Sequence, residues 1–257
     1  MLEVEAVDTY YGRSQVLHAT TLSVAEGEVV GLLGRNGMGK STLVHTIAGL
    51  LHPRQGRITF GGKPISSMPA ERISRLGMSL VPQGHRIFPS LTVRENLRIA
   101  KRDVGEGGWS IDEVLDNFPA LRERWTVGAG RLSGGQQQML AMSRALVGNG
   151  RLVLMDEPTE GLDPQTVARM GSVIDELRRR GTSALLVEQK VGFTLDRVDR
   201  ALILSRGQIV HETDRPQVLK ADSATLQRFI GVSTGRVDDA SRPHGAADGS
   251  PASEPSR

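Results

Sequence analysis

Apolar and polar positions divide the chain into an alternating N-terminal stretch, a glycine-rich loop, and a long region where strands and helices take turns. Residues 1 to about 30 place Leu2, Val4 and Ala6, then Val16 and Leu17, then Leu22 and Val24 at the apolar positions. A period of two predicts short antiparallel strands, joined by turns at Tyr11-Gly12-Arg13 and Ala25-Glu26-Gly27. Glu28-Val29-Val30-Gly31-Leu32-Leu33 reads as a short buried strand. From Thr42 to Leu51 the residues Leu43, Val44, Ile47, Ala48 and Leu51 recur at helical spacing, and Pro53 ends that helix.

The next predicted elements are a strand at Gly56–Gly62, a short helix at Ala70–Leu76, and a buried strand at Gly77–Gln83 that stops at Pro82. Between Gly84 and about Gly130 the pattern turns helical, at Thr92–Leu97 and Ile111–Phe118, interrupted by the glycine cluster Gly105 to Gly108. An inserted helical subdomain over about 84–148 is the expectation. Regular alternation returns with a strand at Leu152–Met155, a helix at Thr166–Arg180, and strands at Ala184–Val187 and Ala201–Leu204. The fold class expected is an α/β core with an N-terminal antiparallel β subdomain and the helical insertion. One domain over 1–231 is expected to precede a disordered tail at 232–257, where large apolar side chains almost vanish. No repeat of solenoid type is present.

Composition narrows the setting. With 257 residues and 38% apolar content, the chain has enough material for a real core. A net charge of +3 with interspersed signs forms no basic stripe, so no nucleic-acid partner is expected. The absence of cysteine excludes disulfides and thiolate metal sites. No apolar run approaches membrane-spanning length, and Met1–Glu5 lacks a leader pattern, so any membrane role is expected to come through a partner. The six histidines (18, 45, 52, 85, 211 and 244) show no metal-ligand spacing and read as surface or packing residues.

The chemistry concentrates at Gly34-Arg35-Asn36-Gly37-Met38-Gly39-Lys40-Ser41, a Gly-x-x-x-x-Gly-Lys-Ser loop between a predicted strand and a helix. Glycines let the backbone curl so that successive N–H groups point at one anion, and the helix N-terminus adds partial positive charge. Lys40 then reaches the β- and γ-phosphates of a nucleoside triphosphate, and Ser41 ligates Mg²⁺. Leu152 to Met155 ends in Asp156-Glu157, which sets one carboxylate beside the Mg²⁺ shell and a second where it can polarise water. Leu132-Ser133-Gly134-Gly135-Gln136 fits a capping box, while its two glycines bare N–H groups at a second helix start. The chain thus offers two anion-binding helix starts and one lysine-bearing loop, to be used together in one chain or shared between two. Arg178-Arg179-Arg180 before Gly181 reads as helix-end chemistry, cations offsetting the dipole ahead of a glycine.

Taken in order, Gly34 to Ser41, Gln83 after a strand, Leu132 to Gln136, and Leu154 to Pro158 resemble the ATP-binding subunit of an ABC transporter over about residues 2 to 231. The resemblance implies a P-loop NTPase fold and a head-to-tail dimer of nucleotide-binding domains. Each ATP would lie between the Gly34 loop, with Thr42, of one subunit and Ser133, Gly134, Gly135 and Gln136 of the other. It also implies that Tyr11 stacks on adenine, with Tyr10 as competitor, that Gln83 touches Mg²⁺ and the attacking water, and that Asp163 communicates across the dimer. Most such ATPases carry a histidine where this chain has Gln189, and an amide cannot carry a proton, which raises the load on Glu157. The Val187-Glu188-Gln189 variant, with the stretch Val81 to Pro89, is similar to ATPases of importers for branched-chain amino acids, urea and short amides. Implied partners are a second ATPase subunit, identical or paralogous, transmembrane permease subunits contacted near Gln83 to Leu97, and indirectly an extracytoplasmic binding protein. The implied location is the cytoplasmic face of the membrane. The rivals are an exporter or envelope-lipid ATPase and a soluble ABC protein acting on nucleic acid.

Overall fold

The computed structural model describes residues 1–231 apart from 85 and 106; the expected tail at 232–257 lies outside the described residues. Two sheets organise the chain. The first is antiparallel, built from β1 (Leu2–Tyr11), β2 (Ser14–Val24), β4 (Gln55–Phe60) and β5 (Lys63–Pro64) in the order β2-β1-β4-β5. The second holds six strands: β3 (Val29–Leu33), β6 (Met78–Val81), β7 (Leu152–Asp156), β8 (Ser183–Glu188), β9 (Arg200–Ser205) and β10 (Gln208–Thr213). Their order is β10-β9-β3-β8-β7-β6, parallel except for β10.

A period of two explains why the central strands are apolar throughout: each face feeds a different core. Val30, Leu32, Leu154, Leu185 and Leu202 join the core beneath the antiparallel sheet, together with Leu43, Val44 and Ile47 of α1 (Lys40–Ile47). Helix α1 is therefore buried between the two sheets. Val29, Leu33, Val153, Met155, Leu186 and Ile203 face the opposite core, shared with the remaining large helices.

Beyond α1 and α2 (Ala70–Arg75), that second core takes in α3 (Val93–Ala100), α4 (Ile111–Asn117), α5 (Pro119–Glu123), α6 (Gly134–Val147) and α7 (Pro164–Arg179). Three of these begin with reciprocal capping boxes, Thr92 with Glu95, Ser110 with Glu113, and Ser133 with Gln136. Asn96 of α3 is buried and exchanges hydrogen bonds with Phe88 in both directions while donating to the carbonyls of Leu91 and Thr92. It thereby clips the segment after β6 onto α3. Helix α8 (Val191–Leu195) precedes β9, and α9 (Pro216–Ala221) and α10 (Ser223–Phe229) end the described residues, all joining the same core as β9 and β3. Among the described residues no helix is long and apolar enough to cross a membrane.

Helix limits shift by a few residues from the expectation, and α7 runs over Pro164–Arg179 rather than Thr166–Arg180. Helix α1 starts at Lys40 rather than Thr42 and ends at Ile47, because Gly49 turns left-handed at φ +73° and closes the helix before Pro53 is reached. The three arginines at the end of α7 are each ion-paired: Arg178 with Asp199, Arg179 with Glu176, and Arg180 with Glu176 and Glu113.

The β9–β10 hairpin turns on Arg206 and Gly207, both left-handed at φ +48° and +74°, as a two-residue hairpin loop demands. Gly207 accepts from His18 N–H at 3.0 Å and donates to the Met38 carbonyl at 3.0 Å, so one residue ties β2, the hairpin and the glycine loop together. A Cβ there would lie 2.0 Å from the Val16 carbonyl oxygen. Gly207→Ala is expected to cost on the order of 2 kcal/mol of stability through strain and displacement. Urea unfolding checks this, and an unchanged midpoint and slope would show that the tie carries no load.

Candidate functional site

The site is built where β3, β7 and β8 end side by side. Their parallel register pairs Leu33 with Glu188 and Asp156 with Val187, so the residues that follow reach one edge of the sheet. After Leu33 the backbone leaves the sheet as the glycine loop. At Gly34 a Cβ would sit 2.5 Å from the Leu204 carbonyl oxygen, so only glycine permits the close approach of β9. Gly37 and Gly39 take left-handed φ values of +75° and +101°. The loop is braced from below: besides the Gly207 tie, the Arg206 N–H donates to Met38 Sδ at 3.3 Å. Gly39 is the N-cap of α1 and offers no side-chain cap, which leaves the first-turn N–H groups open to an anion. Arg35 and Asn36 are exposed at the rim.

Starting α1 at Lys40 puts Lys40, Ser41 and Thr42 in its first turn. Lys40 is buried and its ammonium donates to the carbonyls of Gly34 at 3.0 Å and Arg35 at 3.2 Å. It also lies 3.2 Å from Glu157 Oε1; the two side chains are 4% and 5% exposed. Ser41 Oγ donates to Asp156 Oδ1 at 3.2 Å, while Asp156 Oδ2 is buried without a partner among the described residues. Burial raises the Asp156 pKa to about 6 and the Glu157 charge adds to the rise, opposed by the Ser41 hydrogen bond and Lys40. A hard hydroxyl and an orphaned carboxylate oxygen side by side suit a small hard cation such as Mg²⁺, which is held through few protein ligands.

Glu157 sits at φ +49°, a left-handed conformation uncommon outside glycine, while its N–H still donates to Val187 O at 2.9 Å. Two amides converge on its Oε2: Gln83 Nε2 at 3.1 Å and Gln189 Nε2 at 2.7 Å. Gln83 also donates to Glu160 Oε2 at 2.9 Å. Gly37, Gly39, Lys40, Ser41, Thr42, Gln83, Glu157 and Gln189 thus line one cleft of about 260 Å³, with Asn36, Val16 and Glu160 at its wall.

The other sequence-derived residues lie outside that cleft. Tyr11 is 49% exposed, whereas Tyr10 is engaged by Arg54, whose guanidinium sits 4.3 Å from its ring centroid. Of the two tyrosines, Tyr11 is the more exposed. Ser133, Gly134, Gly135 and Gln136 start α6 and do not line the cleft of their own chain. Asp163 is the N-cap of α7, accepting from the N–H groups of Gln165 and Thr166, both at 3.0 Å. A Cβ on Gly135 would come within 3.9 Å of Asp163 Oδ2, so the Ser133 turn and the Asp163 turn are neighbours. Sequence reasoning missed Thr159, Glu160 and Glu188. The signal for Glu188 was present: an apolar strand ending in a carboxylate, the same pattern that drew notice at Asp156 and Glu157.

Comparison with known proteins places this geometry. The family described as ABC transporter matches residues 17–160. The branched-chain amino acid transport ATP-binding protein BraG of Pseudomonas aeruginosa is 42% identical over 216 residues, covering 83% of this chain and 93% of the relative. The lipopolysaccharide export system ATP-binding protein LptB of Haemophilus influenzae is 33% identical, covering 90% of this chain and 97% of the relative. The dimeric structure of a post-hydrolysis state of an ATP-binding cassette bound to ADP and Pi superposes with a TM-score of 0.73 at 26% identity, covering 83% of this chain and 98% of that one.

The Asp156 environment makes a sign-specific prediction for the metal-free protein. Its folded pKa of about 6 stands above the ordinary 3.8, so ionising it in the fold costs stability that is absent below about pH 3.8 and fully felt above about pH 6. Asp156→Asn should therefore stabilise the protein by about 2–3 kcal/mol at pH 8, with the gain vanishing near pH 4. Denaturant titrations at the two pH values in chelator check it; equal effects at both would contradict the buried-charge account.

Proposed function

The chain belongs to the ABC transporter family, and we propose that it is the ATP-hydrolysing subunit of an importer for branched-chain amino acids, or for urea and other short amides. The observation that carries this reading is the convergence of Lys40, Ser41 and Glu157 on one cleft beneath an uncapped helix start, with the buried Asp156 held behind Ser41 by its hydrogen bond. The N–H groups from Gly37 to Thr42 receive the phosphates, and Lys40 exchanges its carbonyl and carboxylate partners for phosphate oxygens. Ser41 and Asp156, with Gln83, hold Mg²⁺, which when bound neutralises charge on the phosphoryl groups. Glu157 orients the attacking water and takes its proton as the bond from the γ-phosphorus to the bridging oxygen breaks, giving ADP and phosphate. Gln83 and Gln189 steady Glu157 as neutral donors, a role that asks for no proton transfer by residue 189.

Adenine stacks on the exposed Tyr11. A second ATPase subunit, identical or paralogous, closes over the nucleotide with its own Ser133 to Gln136 turn and Asp163. The exposure of Ser133 and its absence from the lining of its own chain's cleft support this division, as does the dimeric form of a structurally similar cassette. Residues 1–231 form the nucleotide-binding domain, with the helical insertion at about 84–148 as the face toward the membrane. A groove of about 460 Å³ beside Gln83, walled by Pro82, Arg86, Ile99 and Arg144, is the contact for the permease subunits. The protein acts from the cytoplasmic face, and selectivity belongs to the permease and an extracytoplasmic binding protein. The resemblance to LptB makes export the second reading; the greater identity to BraG, 42% against 33%, favours import.

Glu157→Gln keeps the shape of the side chain and the Gln83 and Gln189 contacts but removes the base. With its companion subunits present, this variant should retain Mg-ATP in a stable dimer and lose about 10²–10³-fold in turnover. Size-exclusion chromatography with ATP and a phosphate-release assay check the two halves; turnover at the parental rate would refute the assignment of the base.

A further inference from the structure

Glu188 is a second buried carboxylate at the same sheet edge, and nothing in the reaction described above uses it. It is the last residue of β8 and only 2% exposed, and among the described residues no cation lies within ion-pairing distance of it. A carboxylate so buried is costly unless its oxygens are well supplied with donors. Three donors come from two neighbours: Thr159 N–H at 2.9 Å and Thr159 Oγ1 at 2.6 Å reach Oε1, and Gln189 N–H at 3.1 Å reaches Oε2. Thr159 is itself fully buried.

What surrounds this clasp is the carrier of Glu157. Each of residues 187 to 190 bonds to 157 or 159: the Val187 carbonyl takes the Glu157 N–H, Glu188 takes Thr159, Gln189 Nε2 donates to Glu157 Oε2, and Lys190 Nζ donates to the Thr159 carbonyl at 3.0 Å. Glu157 meanwhile holds a left-handed backbone at φ +49°, which costs free energy and persists only where the surroundings over-determine it. Relaxing that angle would swing the carboxylate away from Lys40 and the cleft.

We propose that Glu188 is a positioning residue for hydrolysis: by clasping Thr159 it locks the strained turn that presents Glu157 and, through the Gln189 N–H, the amide that steadies it. This rests on Glu157 being the base. The carboxylate suits the clasp better than an amide because both of its oxygens accept. A glutamine at 188 could still accept from Thr159, but it would set an N–H donor against the Gln189 N–H.

The experiment is steady-state Mg-ATP turnover by the full chain with its companion subunits, for the parent and for Glu188→Ala, Glu188→Gln, Thr159→Val and the Glu188→Ala/Thr159→Val pair. A misaligned base lowers kcat and leaves KM, so Glu188→Ala should lose about 30-fold in kcat and Thr159→Val about tenfold, with KM within about twofold of the parent. Because the two residues act as one unit, the pair should lose no more than Glu188→Ala alone, about 30-fold rather than 300-fold. Glu188→Gln should fall between parent and Glu188→Ala. Parental kcat in Glu188→Ala, a rise in KM with kcat kept, or fully additive losses would each overturn the proposal. Should Glu188→Ala fail to fold, parental kcat in Thr159→Val overturns it alone. Glu157→Gln run alongside separates the two levels: parental turnover there removes the reading beneath the clasp, whereas a dead Glu157→Gln beside unaffected Glu188→Ala and Thr159→Val removes only the clasp.

Discussion

The buried contact between Lys40 and Glu157, 3.2 Å apart, is the point on which the rest of the structure turns. It bridges the glycine loop after β3 and the turn after β7, two strands that are not neighbours but flank β8. Such a contact needs three strands to end level with one another. The parallel register supplies that, and it also delivers Glu188 and Gln189 from the strand between. Lys40, Asp156, Glu157 and Glu188 are then four ionisable groups all but removed from water at one sheet edge. Buried ionisable groups are often no better for folding than apolar ones of similar volume, and a cluster of them in a cleft marks a candidate for chemistry.

The scaffold is arranged to keep that edge rigid. Alternating faces of β3, β7, β8 and β9 feed two separate cores, and α1 is gripped between two sheets. The first turn of α1 carries Lys40 and Ser41, so the packing of Leu43, Val44 and Ile47 fixes the groups proposed to meet phosphate. Gly207 and Arg206 brace the loop from the hairpin side through the carbonyl and sulfur of Met38. By contrast the Ser133 helix start and Tyr11 stand open to solvent, as the proposed contacts with a second subunit and adenine require.

Much of this was legible in the chain because it is encoded locally. The glycine loop, the Ser133 capping box and the apolar strand ending in Asp156-Glu157 each announce themselves within eight residues. What stayed hidden depends on distant neighbours. Nothing in the sequence says that Thr159 meets Glu188 or that Gln83 is shared between Glu157 and Glu160. The apolar spacing starts α1 two residues late because Gly39 serves as its N-cap without a polar side chain. β10 escaped notice because it is a half-buried edge strand with Gln, His, Glu and Thr among its six residues, and α8 is too short, at five residues, for periodicity to register.

The central claim is that Lys40 is held ready for phosphate by groups it will release. Equilibrium binding of Mg-ATP to the parent and to Lys40→Ala, by calorimetry at fixed ionic strength, tests this most directly. Truncating one member of a buried charge pair costs about 2–5 kcal/mol, so affinity is expected to fall by at least about 30-fold while the protein remains folded. An affinity within twofold of the parent would contradict the account.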